Sequence, residues 1–331
     1  MAHLAFLFIC VTWGASFILM ERATHAFGPV GVAIGRLAGG AAVLAIVWWV
    51  QRGRHRVAWS DLPRIAGVAF VGTALPFAVQ PYCLAQGFGH SYFGMMVALV
   101  PLATIVVSVP MLGVWPTGRQ VAGVLGGFAC MLLLLHDGSV RGMSPGILAL
   151  ALTVPVCYGL GNTYVKWKLS HVHSVPLTTL LLGTAAAWLV PIELVPGALA
   201  RMGLSGPAEP HDWAMAVGSL AVLGVLGTGF AVLLVIWLIV TKGPLFAGMV
   251  TYVVPTLALV WGAVDGEQIT GRQLVAMAGV LGMVALVQFG GAAGSEDAKQ
   301  RADAEGAEPH FCPSENPVDA VVLEPNVGDD T

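Results

Sequence analysis

Arg36 is the residue whose chemistry stands out most, because it lies inside a long apolar run, residues 28–50. A charge in the hydrocarbon core of a membrane costs about 2.5 kcal/mol or more, so this side chain must face protein or water. Gly31, Gly35 and Gly39 recur at four-residue spacing beside it, which lets a neighbouring helix approach closely. Arg36 is thus placed either to bond carbonyls of a packed helix or to hold a substrate carboxylate, which its planar fork binds with two hydrogen bonds.

Other polar and aromatic side chains cluster at helical spacing inside apolar runs. Thr73, Phe77 and Gln80 follow i, i+4, i+7 spacing and share one helix face. The substrate site that we predict combines these three with Trp13, Ser16, Arg36, Tyr158, Asn162, Thr228, Trp237, Thr251 and Tyr252. A site for a small amphipathic molecule needs apolar and aromatic walls with a few hydrogen-bonding groups. Any single one of these polar residues serves equally well to bond two helices together.

Two prolines, Pro101 and Pro255, are predicted to be hinges. Each follows a similar stretch of sequence, and each removes a helix hydrogen bond and favours a kink. The freed carbonyls would border a cavity and the kinks would act as gates. Kinks with a purely structural role are the alternative.

The residues that catalysis or a cofactor would need are missing from the apolar runs. No Asp or Glu lies near the middle of a run, and the chain has no phosphate-binding glycine loop and no HExxH motif. The five cysteines form no CxxC pair, and His171 and His173 are expected in a solvated loop rather than in a metal site. His90 is the one histidine that we consider as a proton carrier. We therefore expect no enzyme, no cofactor and no metal, and a facilitator or an exchanger driven by the metabolite gradient.

The composition places these residues in a membrane. Of 331 residues, 57% are hydrophobic and 10% are charged, and the mean hydropathy is +0.82, whereas soluble domains have about 25% charged residues. This excludes a soluble enzyme, a nucleic-acid-binding protein and a disordered scaffold. The expected partners are membrane lipid and a small-molecule substrate, and a homodimer is left open.

A spanning helix needs about 20 mostly apolar residues. The sequence predicts an all-α integral membrane protein whose ten transmembrane helices lie at about 3–20, 28–50, 62–84, 92–115, 120–135, 146–165, 175–195, 213–240, 244–264 and 273–290. The first run is interpreted as a retained helix rather than a signal peptide, because it lacks a basic start and a clear cleavage site.

The basic residues predict the orientation. With the N-terminus in the cytoplasm, ten Lys and Arg residues lie inside and four outside, and Arg36 is the remaining one of 15. Both termini are then cytoplasmic, and the protein is expected to be a multi-pass protein of the cell inner membrane. The acidic segment 292–331 is too polar to order itself and is predicted to be a disordered cytoplasmic tail.

The sequence contains an internal repeat. Residues 94–101 match residues 248–255, and Gly118-Arg119-Gln120 recurs as Gly271-Arg272-Gln273. A glycine, Gly126 or Gly279, follows each arginine by seven residues. The repeats are predicted at 1–137 and 138–291, with five helices each. Because five is odd, the second copy enters the membrane from the opposite side, and such inverted repeats hold their cargo between the halves near the midplane.

At these residues the chain resembles the drug/metabolite transporter superfamily in its ten-helix, EamA-like form. The resemblance covers about residues 3–290. It is carried by residues 13–17, by Arg36 within residues 34–37, and by the proline-bearing fourth and ninth helices that precede Gly-Arg-Gln. Residues 265–270 look like the family's Gly-Glu turn, whereas residues 113–117 lack the glutamate.

The resemblance implies export or uptake of small metabolites, often amino acids or related compounds, across a bacterial inner membrane. It places the cargo between the third, fourth, eighth and ninth helices. We expect a secondary transporter that moves an amino acid or related compound by alternating access, with export as the favoured direction. The alternative is a non-transporting membrane scaffold or regulatory protein.

Overall fold

Long uninterrupted apolar stretches fold into helices here because a helix satisfies all of its own backbone hydrogen bonds without water. The computed structural model describes residues 1–51, 55–86, 96–97, 99–135, 145–195, 197–201, 205–207, 212–264, 270–272, 274–279, 281–283 and 286. Within those ranges the regular structure is entirely helical. The segment 292–331, predicted to be a disordered tail, lies outside the described residues.

In the part of the first half that the structure describes, six helices have assigned bounds. They are α1 (Ala2–Thr24), α2 (Pro29–Val50), α3 (Leu62–Ala69), α4 (Leu75–Ala85), α5 (Val100–Leu112) and α6 (Gly118–Leu135). A 3₁₀ turn, Trp59–Asp61, precedes α3, and a π-helical stretch, Phe70–Ala74, joins α3 to α4 as one continuous rod. Pro29 occupies the first turn of α2, where its missing N–H costs no hydrogen bond.

The second half begins with α7 (Pro145–Lys168) and α8 (Ser174–Leu194), followed by the single turn α9 (Ala198–Arg201). A second rod consists of α10 (Trp213–Val222), the π-helical stretch Leu223–Phe230 and α11 (Ala231–Lys242). It is followed by α12 (Pro244–Gly248) and α13 (Val250–Val264). Residues 274–279 and 281–283 are also helical.

Among the described residues, six helical rods are long and apolar enough to span a membrane. They are Ala2–Thr24, Pro29–Val50, Trp59–Cys83, Pro145–Lys168, Ser174–Leu194 and Trp213–Lys242. The first extends four residues beyond the predicted end at residue 20, because no helix breaker precedes Thr24. The other four predicted spans correspond to shorter or partly described helices, so the count of ten stays a prediction.

The helices of the two halves pack in matching pairs. Helix α1 lies against α13, and its counterpart α7 lies against α5. Helix α2 packs on the π-helical stretch Leu223–Phe230, and its counterpart α8 packs on α3 and on Phe70–Ala74. Helices α2 and α8 also contact each other along their lengths. Each half therefore supplies helices that pack against the other half.

The repeated glycines Gly126 and Gly279 lie where α6 meets helical residues 274–283. A Cβ placed on Gly126 would come 2.5 Å from Met283 Sδ, and one placed on Gly279 would come 2.6 Å from Cys130 Sγ. Met283 lies four residues after Gly279, as Cys130 does after Gly126. This reciprocal relation is the one expected of two antiparallel helices related by a twofold axis between them.

We expect a Gly279→Cys variant to form a disulfide bond with the native Cys130. The new Cβ would lie 3.7 Å from Cys130 Cβ, inside the 3.5–4.5 Å range of disulfide bonds. The experiment uses a background without the other four cysteines and a protease site between the two halves, so that a cross-link keeps the fragments together on a non-reducing gel. Gly271→Cys is the control, because a Cβ there meets no atom within 4 Å. Equal cross-linking of both variants would contradict this helix pairing.

Candidate functional site

Arg36 is buried in the middle of the helix bundle, with 3% of its surface exposed. Its Nε donates a hydrogen bond to Thr228 Oγ1 at 3.1 Å, and its Nη1 donates to Met20 Sδ at 3.1 Å. The guanidinium carbon lies 4.3 Å from the centroid of the Phe77 ring, a distance at which a cation is attracted to an aromatic face. The sequence left open whether Arg36 bonds carbonyls, and the polar partners that the structure shows are a hydroxyl group and a sulfur atom.

Gln80 and Tyr158 join the two halves beside Arg36. Gln80 Nε2 donates a hydrogen bond to the Tyr158 hydroxyl oxygen at 2.6 Å. Gln80 lies on α4 and Tyr158 on α7, so this bond connects a helix of the first repeat to one of the second. A cavity of about 30 Å³ lies among these side chains. Its lining includes Trp13, Ser16, Met20, Arg36, Phe77, Gln80 and Tyr158.

A second cavity, of about 50 Å³, lies next to the first. Trp13, Phe77 and Tyr158 line both cavities and so form the wall between them. The walls of the second cavity are mostly aliphatic, with Val100, Val235 and Ile236 among them, and its polar side chains include Thr73, Asn162 and Thr251. Each volume is enough for a few water molecules, so a metabolite can bind only if the helices move apart.

Asn162 is the polar side chain of this second cavity with the most unused bonding capacity. An amide offers two donors and one acceptor oxygen. Among the residues that the structure describes, none bonds to the Asn162 side chain, and the neighbouring Thr163 hydroxyl pairs instead with Ser108 Oγ at 3.2 Å. The amide is therefore available to a molecule in the cavity.

The sequence did not predict the two π-helical stretches: Phe70–Ala74 lines the 50 Å³ cavity through Gly72 and Thr73, whereas Leu223–Phe230 bonds to residues that line the cavities. Trp13 Nε1 donates to the carbonyl oxygen of Gly227 at 2.9 Å, and Arg36 reaches Thr228 in the same stretch. In the other stretch, Gly72 lies so close to Gly161 that an added Cβ would come 2.8 Å from its Cα. Because π-helical turns occur frequently at functional sites, these stretches are candidates for the moving parts.

The structure brings most, but not all, of the predicted site residues together. Ten of the twelve line a cavity or bond to a lining residue: Trp13, Ser16, Arg36, Thr73, Phe77, Gln80, Tyr158, Asn162, Thr228 and Thr251. Tyr252 is buried against Gly127 and lines neither cavity. Trp237 is partly buried in the core and also lies away from both cavities. Met20, which the sequence did not single out, contacts Arg36 directly.

The predicted hinges take different places in their helices. Pro101 lies in the first turn of α5, a position where proline breaks no hydrogen bond. Pro255 lies inside α13, six residues after a turn at Met249 that separates α12 from α13. A gating role for either proline stays a prediction, and His90 lies outside the described residues.

A larger cavity of about 300 Å³ lies along α3 and α7. Its lining is mostly apolar, and none of the twelve predicted site residues contributes to it. Its one cation, Arg64, is already paired with Asp61 Oδ1 at 3.0 Å. Val68 and Gly161 separate it from the 50 Å³ cavity. This cavity fits an access vestibule better than a recognition site, because it offers few unpaired polar groups.

Histidines that the sequence placed in a solvated loop make specific contacts at the same end of the bundle as Arg64. His171 Nε2 lies 2.8 Å from Asp61 Oδ2. The His173 ring stacks on the His55 ring, with the ring centroids 3.7 Å apart. Burial, and then the nearby His55, lower the pKa of His173. The stack connects the segment after α2 to the start of α8.

Three comparisons identify known proteins to which this chain is similar. The model of the EamA-like transporter family matches residues 1–136 and 145–289. The threonine/homoserine exporter RhtA of Salmonella typhimurium, in strains SL1344 and LT2, is 30% identical over 127 residues, which are 38% of this chain and 41% of the relative. A solved crystal structure of a protein is similar with a TM-score of 0.67 and 19% identity, over 87% of this chain and 96% of that one. At that identity the structural likeness supports the fold alone.

Proposed function

Because the chain belongs to the EamA-like transporter family, a family of transporters and not of enzymes, we propose that it moves a small organic metabolite across the cytoplasmic membrane by alternating access. The family match confirms the resemblance that the sequence indicated, and the apolar helices make the chain a multi-pass membrane protein of two-repeat structure. We further propose that the protein has ten helices in two inverted halves, lies in the inner membrane and has both termini in the cytoplasm.

The observation that carries the proposal is the pair of cavities between the two halves. Side chains from α1, α2 and α4 meet side chains from α7 and α13 around them. Buried hydrogen-bonding groups beside aliphatic and aromatic walls are the composition of a small-molecule site. A site between two repeats is where secondary transporters bind their cargo.

The small size of the cavities supports alternating access. At about 50 and 30 Å³ they are far below the 300–1,000 Å³ of an open ligand pocket. In the proposed cycle, loading therefore requires the halves to separate. The π-helical stretches Phe70–Ala74 and Leu223–Phe230 lie at equivalent places in the two halves and are suited to this movement.

We infer amino acids or related compounds as the cargo class and export as the direction. The support is the partial similarity to a threonine/homoserine exporter together with the cation Arg36 in the site. The chain spans 41% of the length of that relative. The substrate of the relative therefore guides the choice of compounds to test and is not assigned to this chain.

The proposal is tested by counterflow in proteoliposomes, which needs no knowledge of the driving force. Vesicles are loaded in turn with unlabelled amino acids, nucleosides or small amines, and uptake of the same labelled compound is followed. We expect transient accumulation for the amino-acid class, and protein-free liposomes are the control. Folded protein that shows no counterflow with any class would contradict transport and favour a membrane scaffold or regulatory protein.

A further inference from the structure

Arg36 is a buried cation for which the described residues supply no buried anion. Its side chain is 3% exposed, and its two hydrogen bonds go to the neutral partners Thr228 and Met20. Among the residues that the structure describes, no carboxylate lies within ion-pair distance of the guanidinium. Buried charges in proteins are normally paired, so this environment lacks one negative charge.

The guanidinium also has donors left over. Arginine carries five N–H groups, and the bonds within the described structure use one on Nε and one on Nη1. A thioether sulfur is a weak acceptor, so the bond to Met20 is easily exchanged for a better one. Arg36 lines the 30 Å³ cavity, which lets a ligand reach the unused donors.

The two cavities offer different surroundings to the two ends of one molecule. The smaller one holds Arg36 with the hydroxyl groups of Ser16 and Tyr158. The larger one is lined mainly by aliphatic side chains. Among the described residues, Trp13, Phe77 and Tyr158 line both cavities, so a ligand that displaces these three rings can reach from one cavity into the other.

We propose that Arg36 binds a carboxylate of the transported molecule and that the apolar body of this molecule occupies the 50 Å³ cavity. This inference rests on the proposed transport function and names the chemical group that it recognises. A carboxylate matches the planar fork of arginine with two parallel bonds and supplies the missing charge. Among the described side chains that line the two cavities, Arg36 is the one cation, so a monoanionic group fits better than a phosphate dianion.

An amino acid and a simple carboxylic acid share this group, and the two differ in the ammonium. The described lining contains no carboxylate to pair an ammonium. The aromatic faces of Trp13 and Phe77 and the oxygens of Asn162 and Thr251 are the groups that it would meet. Arg36 is therefore assigned to the carboxylate alone. A competition experiment decides whether this carboxylate belongs to an amino acid or to a simple carboxylic acid.

The test compares each acid with its own amide in the wild-type protein. Counterflow of a labelled amino acid is challenged with unlabelled leucine, leucinamide and 4-methylpentanoate. We expect leucine to compete at least tenfold better than leucinamide, because the amide has lost the charge that Arg36 binds. If 4-methylpentanoate competes, the carboxylate alone is sufficient for recognition. If it does not compete, the ammonium group of the amino acid is also recognised.

Arg36→Gln and Arg36→Lys variants provide the second arm. In Arg36→Gln the preference for acid over amide should disappear, while Arg36→Lys should keep part of it because the charge remains. If Arg36→Gln does not fold, Arg36→Lys supplies the comparison at this residue, and the wild-type comparison still decides whether the carboxylate is recognised. Counterflow in which leucinamide competes as well as leucine would overturn the role of Arg36 and leave transport standing. The absence of counterflow with every class would overturn both.

Discussion

Replacing Gly40 by alanine should destabilise the protein by about 1–3 kcal/mol, the usual cost of forcing an extra carbon into a packed interior. A Cβ at this position would lie 2.9 Å from the backbone nitrogen of Gly229 and 3.1 Å from the carbonyl oxygen of Gly224. Both atoms belong to the π-helical stretch Leu223–Phe230, and backbone atoms cannot rotate away as side chains do. The gain in helix propensity from Gly to Ala is at most about 1 kcal/mol. The cost of overpacking exceeds this gain, so the variant should be less stable.

Gly218→Ala is the matched control for this variant. Gly218 lies on α10, in the same helical rod as Gly224 and Gly229, and a Cβ there meets no atom within 4 Å. Alanine at this position should leave stability unchanged or raise it slightly. Thermal unfolding in detergent, followed by the loss of monodisperse protein, separates the two variants. Equal stability of Gly40→Ala and Gly218→Ala would show that α2 is not packed this closely on the second rod.

The close contact at Gly40 shows where prediction from the sequence reached its limit. The spacing of Gly31, Gly35 and Gly39 correctly predicted that α2 has a neighbouring helix packed against it: Gly35 faces Leu220 and Gly39 faces Gly224. On α2, the closest approach to backbone atoms nevertheless falls on Gly40, outside the regular stripe. It is set by the π-helical stretch opposite, whose wider turns place Gly224 and Gly229 together, and an apolar run gives no sign of such a change in helix geometry.

Trp237 and Tyr252 illustrate a second limit. A helix that is apolar all round carries no periodic signal for the face that points inward. Trp237 was grouped with Thr228 across nine residues, and the π-helical stretch between Leu223 and Phe230 changes the angular relation along that rod. Thr73, Phe77 and Gln80, by contrast, share a short interval, so their common face was predictable, and all three line the cavities.

Substitution at Asn162 and at Gln80 should give two distinguishable outcomes. Asn162→Leu keeps the side-chain volume and removes an amide that bonds to none of the described residues, so we expect stability to be retained. Loss of one hydrogen bond to bound cargo costs about 1–3 kcal/mol, and 1.4 kcal/mol is a factor of ten. The apparent affinity in counterflow should therefore fall about tenfold or more. Thr153→Val is the control on the same helix, because the Thr153 hydroxyl is exposed and bonds to its own backbone at Leu150.

Gln80→Met should instead lower stability and transport together. It removes the partner of the Tyr158 hydroxyl, which Gln80 Nε2 reaches at 2.6 Å, and the same bond joins α4 to α7. Leaving a buried polar group unsatisfied costs about 1–3 kcal/mol, and the wall between the two cavities loses its fixed position. Thermal unfolding and counterflow are measured on the same preparations. If transport is unchanged in both Asn162→Leu and Gln80→Met, neither side chain contacts the cargo. The cargo would then bind elsewhere in the bundle.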